Sequence, residues 1–180
     1  LGVTRAIVGT SFFHQNGDGT YTYIGEAQCK AFEAAGFEVQ EYQFIGHHRA
    51  TTRVWWLDVE LAETKDEVRV AVATTSPTGI YTRRGIWETL DYDIVAEFPG
   101  LKLWDANYGP LPRTFRPYGG WTEAAMTQYH DTMDIGTGFE VDLSYYEEED
   151  EMTERVWCPD RAQTWIVGKG GAAPVAYPID

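Results

Sequence analysis

Arg53-Val54-Trp55-Trp56-Leu57-Asp58-Val59-Glu60-Leu61, then the polar Ala62-Glu63-Thr64-Lys65-Asp66, then Glu67-Val68-Arg69-Val70-Ala71-Val72-Ala73-Thr74, is the stretch that decides how this chain is read. In the first segment Trp55, Leu57, Val59 and Leu61 fall on one side of an extended backbone. Val54, Trp56, Asp58 and Glu60 fall on the other, because successive strand side chains point to opposite faces. In the last segment Val68, Val70 and Val72 share a side. Two alternating runs joined by a short polar loop predict a β-hairpin, and with it an antiparallel frame for the whole chain.

Toward the N-terminus, Thr4–Phe13 reads as a strand, Asn16-Gly17-Asp18-Gly19 as a turn and Thr20–Ile24 as its return, an N-terminal hairpin. Glu26–Ala35 is rich in Ala and Glu and is followed by Gly36, so it reads as a first helix. Phe37–Phe44 reads as a strand whose alternation slips near Gln40-Glu41. Beyond the central hairpin, Ile80–Arg83 reads as a third strand. Ile86–Tyr92 is compatible with a short helix, and either Ile94–Phe98 or Leu101–Trp104 with a strand. Asn107–Gly120 contains Pro110, Pro112 and Pro117 and reads as a long ordered loop. Thr122–Met133, with Thr122 as N-cap and an apolar stripe of Trp121, Ala125, Met126, Tyr129 and Met133, reads as a second helix. Phe139–Tyr146, Arg155–Cys158 and Gln163–Val167 read as closing strands. The expected fold is therefore α+β: a mainly antiparallel sheet, sandwich or open barrel, with two short helices. Residues 1–168 form one domain in this reading, and 169–180, punctuated by Pro174 and Pro178, form an extended C-terminal arm.

Against 14 basic residues stand 28 acidic ones, a formal charge of −14. Such a surface repels phosphate backbones and anionic headgroups, which argues against direct nucleic-acid and membrane partners. Arg49 with Arg53, Arg83 with Arg84 and Arg113 with Arg116 are too sparse to reverse this. Solubility is the plainest use of the acidity; a high-salt habitat and mimicry of nucleic-acid charge are narrower ones. Cys29 and Cys158 form no Cys-x2-Cys pair, so neither a disulfide nor the cellular compartment is fixed. No charged segment followed by an apolar one marks a signal peptide at this end, and Leu1 leaves the true start open.

Several groups carry chemistry on paper. His47-His48-Arg49 offers two imidazoles on a loop, but no third ligand at metal spacing, so a polar turn is the better reading. His14–Gly19 partly matches a calcium loop, with His at the first ligand position and Glu26 one place late; a hairpin turn explains it better. His130 and Asp134 lie four apart on the expected second helix, which suits a surface ion pair. Asp58 and Glu60 share one strand face with Trp56, a pairing that suits glycoside chemistry or sugar binding, and Glu140 with Asp142 repeats it. Alternating acids are also what any solvent-facing strand displays. No metal or cofactor is implied.

The aromatics Trp104, Tyr108, Phe115, Tyr118 and Trp121 cluster around the Pro/Gly loop. They are either a contact surface or rings folded back to cap the core. With no catalytic constellation standing clear, the sequence points to a non-enzymatic binding or assembly protein, a subunit of a homo-oligomer or of a larger assembly such as a virion or surface structure. That loop and an arm burying Val175, Tyr177 and Ile179 would be its interface. Two other readings stand beside it. One is a small-molecule enzyme or ligand-binding barrel using His47, His48, Asp58, Glu60 and His130. The other is an acidic nucleic-acid-mimic inhibitor with Glu147–Glu151 on its face.

Overall fold

The structure is a computed structural model. It describes residues 5–9, 13–15, 21–46, 48, 51–61, 63–109, 114–134, 140–146, 153–157 and 164–169. The chain runs β1 (Arg5–Gly9), β2 (Phe13–Gln15), β3 (Tyr21–Tyr23), α1 (Ile24–Ala34), β4 (Glu38–Phe44), β5 (Trp55–Asp58), α2 (Lys65–Thr75) and β6 (Gly79–Thr82). It continues through α3 (Arg84–Leu90), α4 (Ile94–Glu97), β7 (Lys102–Ala106), β8 (Met126–Asp134), β9 (Glu140–Tyr146), β10 (Thr153–Trp157) and β11 (Thr164–Lys169).

The expected antiparallel sheet is corrected. β1, β4, β5, β6, β7 and β8 lie side by side, every neighbouring pair parallel. The antiparallel β9, β10 and β11 complete the ring from β8 back to β1, giving a closed barrel. β2 and β3 form a separate two-stranded sheet, so the strand at the N-terminus pairs with β4 and β11 and not with its own return. Helices α1 to α4 fall between the parallel strands, as crossover connections require.

The physical reason is burial on both faces. β5 and β6 have no exposed residue, and β7 has only Lys102. The outward Trp55, Leu57 and Val59 pack with Ile80 and Leu103 against Val68, Ala71 and Val72 of α2, Trp87 of α3 and Ile94 of α4. The inward Tyr42, Trp56, Tyr81, Trp104 and Met126 pack with Ile7 in the barrel interior. A strand buried on both sides belongs to a parallel sheet covered by helices, and its alternation marks inside and outside of a barrel instead of core and water.

Two elements differ in kind from the expectation. Glu67–Thr74 is helix and not strand. The Thr64 side chain accepts from the Glu67 N–H while the Glu67 carboxylate accepts from the Thr64 N–H, a reciprocal cap that starts α2. Val68, Ala71 and Val72 then share a buried stripe at helical spacing, and Val70 is left exposed. Thr122–Met133 is not a helix: β8 begins at Met126 and runs parallel to β7. Residues 170–180 lie outside the described residues, as do the calcium-like segment 16–19 and the acidic run 147–151.

Gly79 has a packing cause. A Cβ there would meet Trp56 Cζ3 at 2.5 Å and the Lys102 carbonyl oxygen at 2.6 Å. The Trp56 indole fills the space over β6 and donates to Gln40 Oε1 at 3.0 Å. Gly79→Ala is expected to destabilise the fold by about 1–3 kcal/mol through overpacking, read as a lower midpoint in urea unfolding with an unchanged slope.

Candidate active site

In barrels of this kind the C-terminal ends of the parallel strands face one mouth, where the loops that carry chemistry gather. β5 delivers two carboxylates there. Asp58 is its last residue, paired in register with Phe44 of β4 and Tyr81 of β6, and Glu60 follows two residues later on the same side. Two residues along a strand is about 6.6 Å, so both reach one small volume.

Asp58 is 1% exposed. Its Oδ2 accepts from the Tyr42 hydroxyl at 2.5 Å, and its Oδ1 is buried with no hydrogen-bond partner. Burial lifts the Asp58 carboxyl well above the usual range; the negative charge of Glu60 and, less, that of Glu63 add to this, while the Tyr42 bond opposes it. Glu60 is half-buried, so it reaches the mouth. Burial also raises its carboxyl, with Arg83 and the Tyr81 hydroxyl pulling the other way and Glu63 adding. The phenols are held neutral: burial first, then neighbouring carboxylates, pushes Tyr42 and Tyr81 well above their ordinary value. Two carboxyls placed this way hold a proton to higher pH than an isolated acid would, which equips the site for acid catalysis.

Around the pair, Tyr81 donates to Gln128 Oε1, and the Tyr108 hydroxyl lies 3.4 Å from the same oxygen. Tyr108 is 38% exposed at the rim, where a flat ring suits the face of a sugar. A groove of about 550 Å³ is lined by residues that include Ile45, His48, Leu61, Glu63 and Val70. The entry of β5 is fixed from below by Arg53, which bonds Glu33 of α1 and the fully buried Glu41 of β4, each at 2.7 Å.

The structure brings together only part of the sequence-predicted sets. Asp58 and Glu60 share the mouth. His48 sits in the neighbouring groove, its Nδ1 accepting from the Gly46 N–H at 3.1 Å; His130 is exposed on β8, and His47 lies outside the described residues. No three His, Cys, Asp or Glu side chains among the described residues are placed to hold a metal ion. Of the five loop aromatics, Trp104 is in the barrel interior, donating to Ser144 Oγ at 3.2 Å. Tyr118 and Trp121 are buried against Trp87, with Tyr118 donating to Asp105 Oδ1 at 2.7 Å and Trp121 to the Leu101 carbonyl at 2.8 Å. Phe115 packs half-buried beside them. These rings therefore cap the core, and Tyr108 alone of the five is exposed. Val175, Tyr177 and Ile179 lie outside the described residues. The tyrosines and Gln128 that surround the carboxylates were missed; the inward periodicity of β4, β6 and β8 is the signal that carries them.

No protein-family model matches the chain. Among curated proteins it is 31% identical over 119 residues to "Probable GH family 25 lysozyme 2" of Dictyostelium discoideum, covering 57% of this chain and 54% of that protein. It is 27% identical over 175 residues to "Counting factor 50" of the same organism, covering 73% and 55%. The chain thus spans about half the length of the curated relatives it matches. Among solved structures it resembles the bacterial lysozyme of Streptomyces coelicolor, with a TM-score of 0.53 at 18% identity over 81% of this chain and 80% of that one. It also resembles the muramidase of Acremonium alcalophilum, with a TM-score of 0.52 at 17% identity over 81% of each. The chain therefore shares the barrel fold of these hydrolases. The expectation of a non-enzymatic structural or assembly subunit is overturned by these likenesses, and neither the small-molecule enzyme or ligand-binding barrel using His47, His48, Asp58, Glu60 and His130 nor the acidic mimic fits them better.

Proposed function

We propose that this chain is the carboxylate-bearing part of a glycoside hydrolase of lysozyme type, acting on the glycosidic bonds of a bacterial cell-wall glycan. The observation that carries this reading is the convergence of Asp58 and Glu60 at the barrel mouth, one fully buried and one half-buried, with burial raising both carboxyls. The likeness to proteins named lysozyme and muramidase supplies the substrate class.

Glu60 is the general acid. It is the accessible member of the pair, and a raised carboxyl keeps its proton at the pH where a glycosidic oxygen needs one. In the transition state Glu60 gives that proton to the leaving oxygen as the C–O bond breaks, positive charge develops on the sugar ring, and a water molecule finally closes the new C–O bond at the anomeric carbon, its released proton restoring the acid. Asp58 lies beneath with one oxygen held by Tyr42 and the other unpartnered, an acceptor available to a substrate N–H or O–H and to the developing charge. Tyr108 at the rim supplies a stacking face.

The test is release of new reducing ends from insoluble peptidoglycan by the purified protein, followed across pH. Activity should fall as pH rises through the Glu60 pKa, because the proton donor is then lost. Absence of any glycan cleavage from pH 4 to 8 would sink the proposal.

A further inference from the structure

The groove lined by Ile45, His48, Leu61, Glu63 and Val70 is built on the same strand ends as the carboxylate pair. Ile45 follows the last residue of β4, and its N–H donates to the Asp58 carbonyl at 3.1 Å. Leu61 follows Glu60 directly in the chain, and Val70, Ala71 and Thr74 come from α2. Two of its apolar side chains are left to solvent: Leu61 is 71% exposed and Val70 53%. Val70 stands off the buried stripe of α2, so it does nothing for the core. A volume of about 550 Å³ is ordinary for a small-ligand site. The charged side chains of the lining are all acidic: Glu63, Asp66 and Glu67. His48 adds no positive charge, because its Nδ1 accepts the Gly46 N–H and an accepting nitrogen holds no proton. Glu67 is committed to the cap with Thr64, and Asp66 faces Arg69 at 3.5 Å. Glu63 differs: its Oε2 is buried and accepts no hydrogen bond. The chain itself leaves that oxygen uncompensated, and a cationic N–H donor seated in the groove supplies what is missing.

We propose that this groove holds the peptide arm of the cell-wall glycan, with the arm's free ammonium on Glu63 and its small apolar side chains against Leu61 and Val70. The choice of occupant rests on the reading of the site as a glycan hydrolase. Peptidoglycan carries short peptides rich in alanine that include the side-chain amine of a diamino acid, one cation beside small apolar groups. That matches one uncompensated carboxylate among exposed apolar side chains. A neutral sugar chain offers no cation, so the groove distinguishes a peptide-bearing glycan from a bare one. The formal charge of −14 attracts any cationic arm, and a local substitution separates the share of the groove from that general pull.

The probe is the peptide acetyl-L-alanyl-D-isoglutaminyl-L-lysyl-D-alanine amide, which bears one positive charge and no negative one. It is titrated into the whole chain while backbone amide resonances are followed by NMR. Those of Leu61, Val70 and Thr74 should shift saturably. Acetylating the lysine amine should weaken binding by about 5–20-fold, and Glu63→Gln should weaken binding of the unmodified peptide by a similar factor. The two losses should not add: Glu63→Gln should bind the acetylated peptide as well as the wild-type protein does. Val70→Lys, an exposed change on α2 that puts a cation in the groove, should abolish the shifts. No shifts at these amides, equal binding of the acetylated peptide, or undiminished affinity in Glu63→Gln each overturns the proposal. Shifts of the same amides on raising the protein concentration alone would assign the groove to a second copy of the chain and overturn it as well. Binding needs no turnover. A protein that takes the peptide but cuts no peptidoglycan loses the glycosidase reading and keeps the groove assignment; one that cuts peptidoglycan and ignores the peptide does the reverse.

Discussion

Glu60→Gln is expected to lower kcat on a cell-wall glycan by about 10²–10⁴-fold, the usual worth of a positioned general acid. The side chain keeps its size and polarity, so the barrel and the Asp58–Tyr42 bond stay in place and KM should change little. What disappears is the ability to protonate the leaving oxygen. The diagnostic is the pH profile: the wild-type protein should lose activity as pH rises through the raised Glu60 pKa, and the variant's residual rate should lack that descending limb. A substrate with a leaving group that departs without protonation should recover much of the lost rate in the variant. A loss of less than tenfold on the natural glycan, with the descending limb intact, would assign the acid to another residue.

The pairing of Asp58 with Glu60 on one strand face is visible in the sequence, where it reads no differently from the alternating acids of any solvent-facing strand. What hid its meaning was the assumption that one face of the strand meets water. The run Val54–Val59 carries two tryptophans on opposite faces, with Leu57 and Val59 on either side of Asp58, and such a run leaves little side for solvent. An acid inside a strand buried on both faces is a costly placement, and that cost is the signal of function. The same error of frame turned α2 into a strand. Val68, Val70 and Val72 alternate, but Thr64-x-x-Glu67 is a helix start written in the sequence, and the structure uses both halves of it. The second helix failed for the converse reason. Met126 and Tyr129 fit a helical stripe, yet Met126 and Gln128 line the barrel while Trp121 is spent on the outer core. Strand placements at Phe37–Phe44 and Ile80–Arg83 lie close to β4 and β6, and of the two alternatives Ile94–Phe98 and Leu101–Trp104 the first falls on α4 and the second on β7, since short apolar runs are local features. Their parallel order is not local; it depends on which helix covers which face, and no single segment records that.

Asp58→Asn separates function from stability with opposite signs. Asp58 is buried with one oxygen unpartnered, and its folded-state pKa is raised by burial first and by Glu60 second. A carboxyl whose pKa is higher folded than unfolded binds its proton more tightly in the native state. Its charge therefore destabilises the fold at neutral pH. That penalty is relieved as pH falls through the folded pKa and vanishes below the unfolded value of about 3.9. The amide of the variant has nearly the same shape, still accepts the Tyr42 hydroxyl, and carries no charge. Tm should rise at pH 7 by about 2–8 °C, equivalent to about 1–2 kcal/mol for a chain of this size, and the gain should shrink toward zero as pH is lowered to 4. Over the same substitution kcat should drop by about 10²–10³-fold, the usual loss when a preorganised charge facing the transition state is removed. A residue placed for packing alone would give neither the gain nor its pH dependence. A variant that loses stability at pH 7 while keeping its activity would mean that the carboxylate serves the fold, and the catalytic assignment of the pair would fall with it.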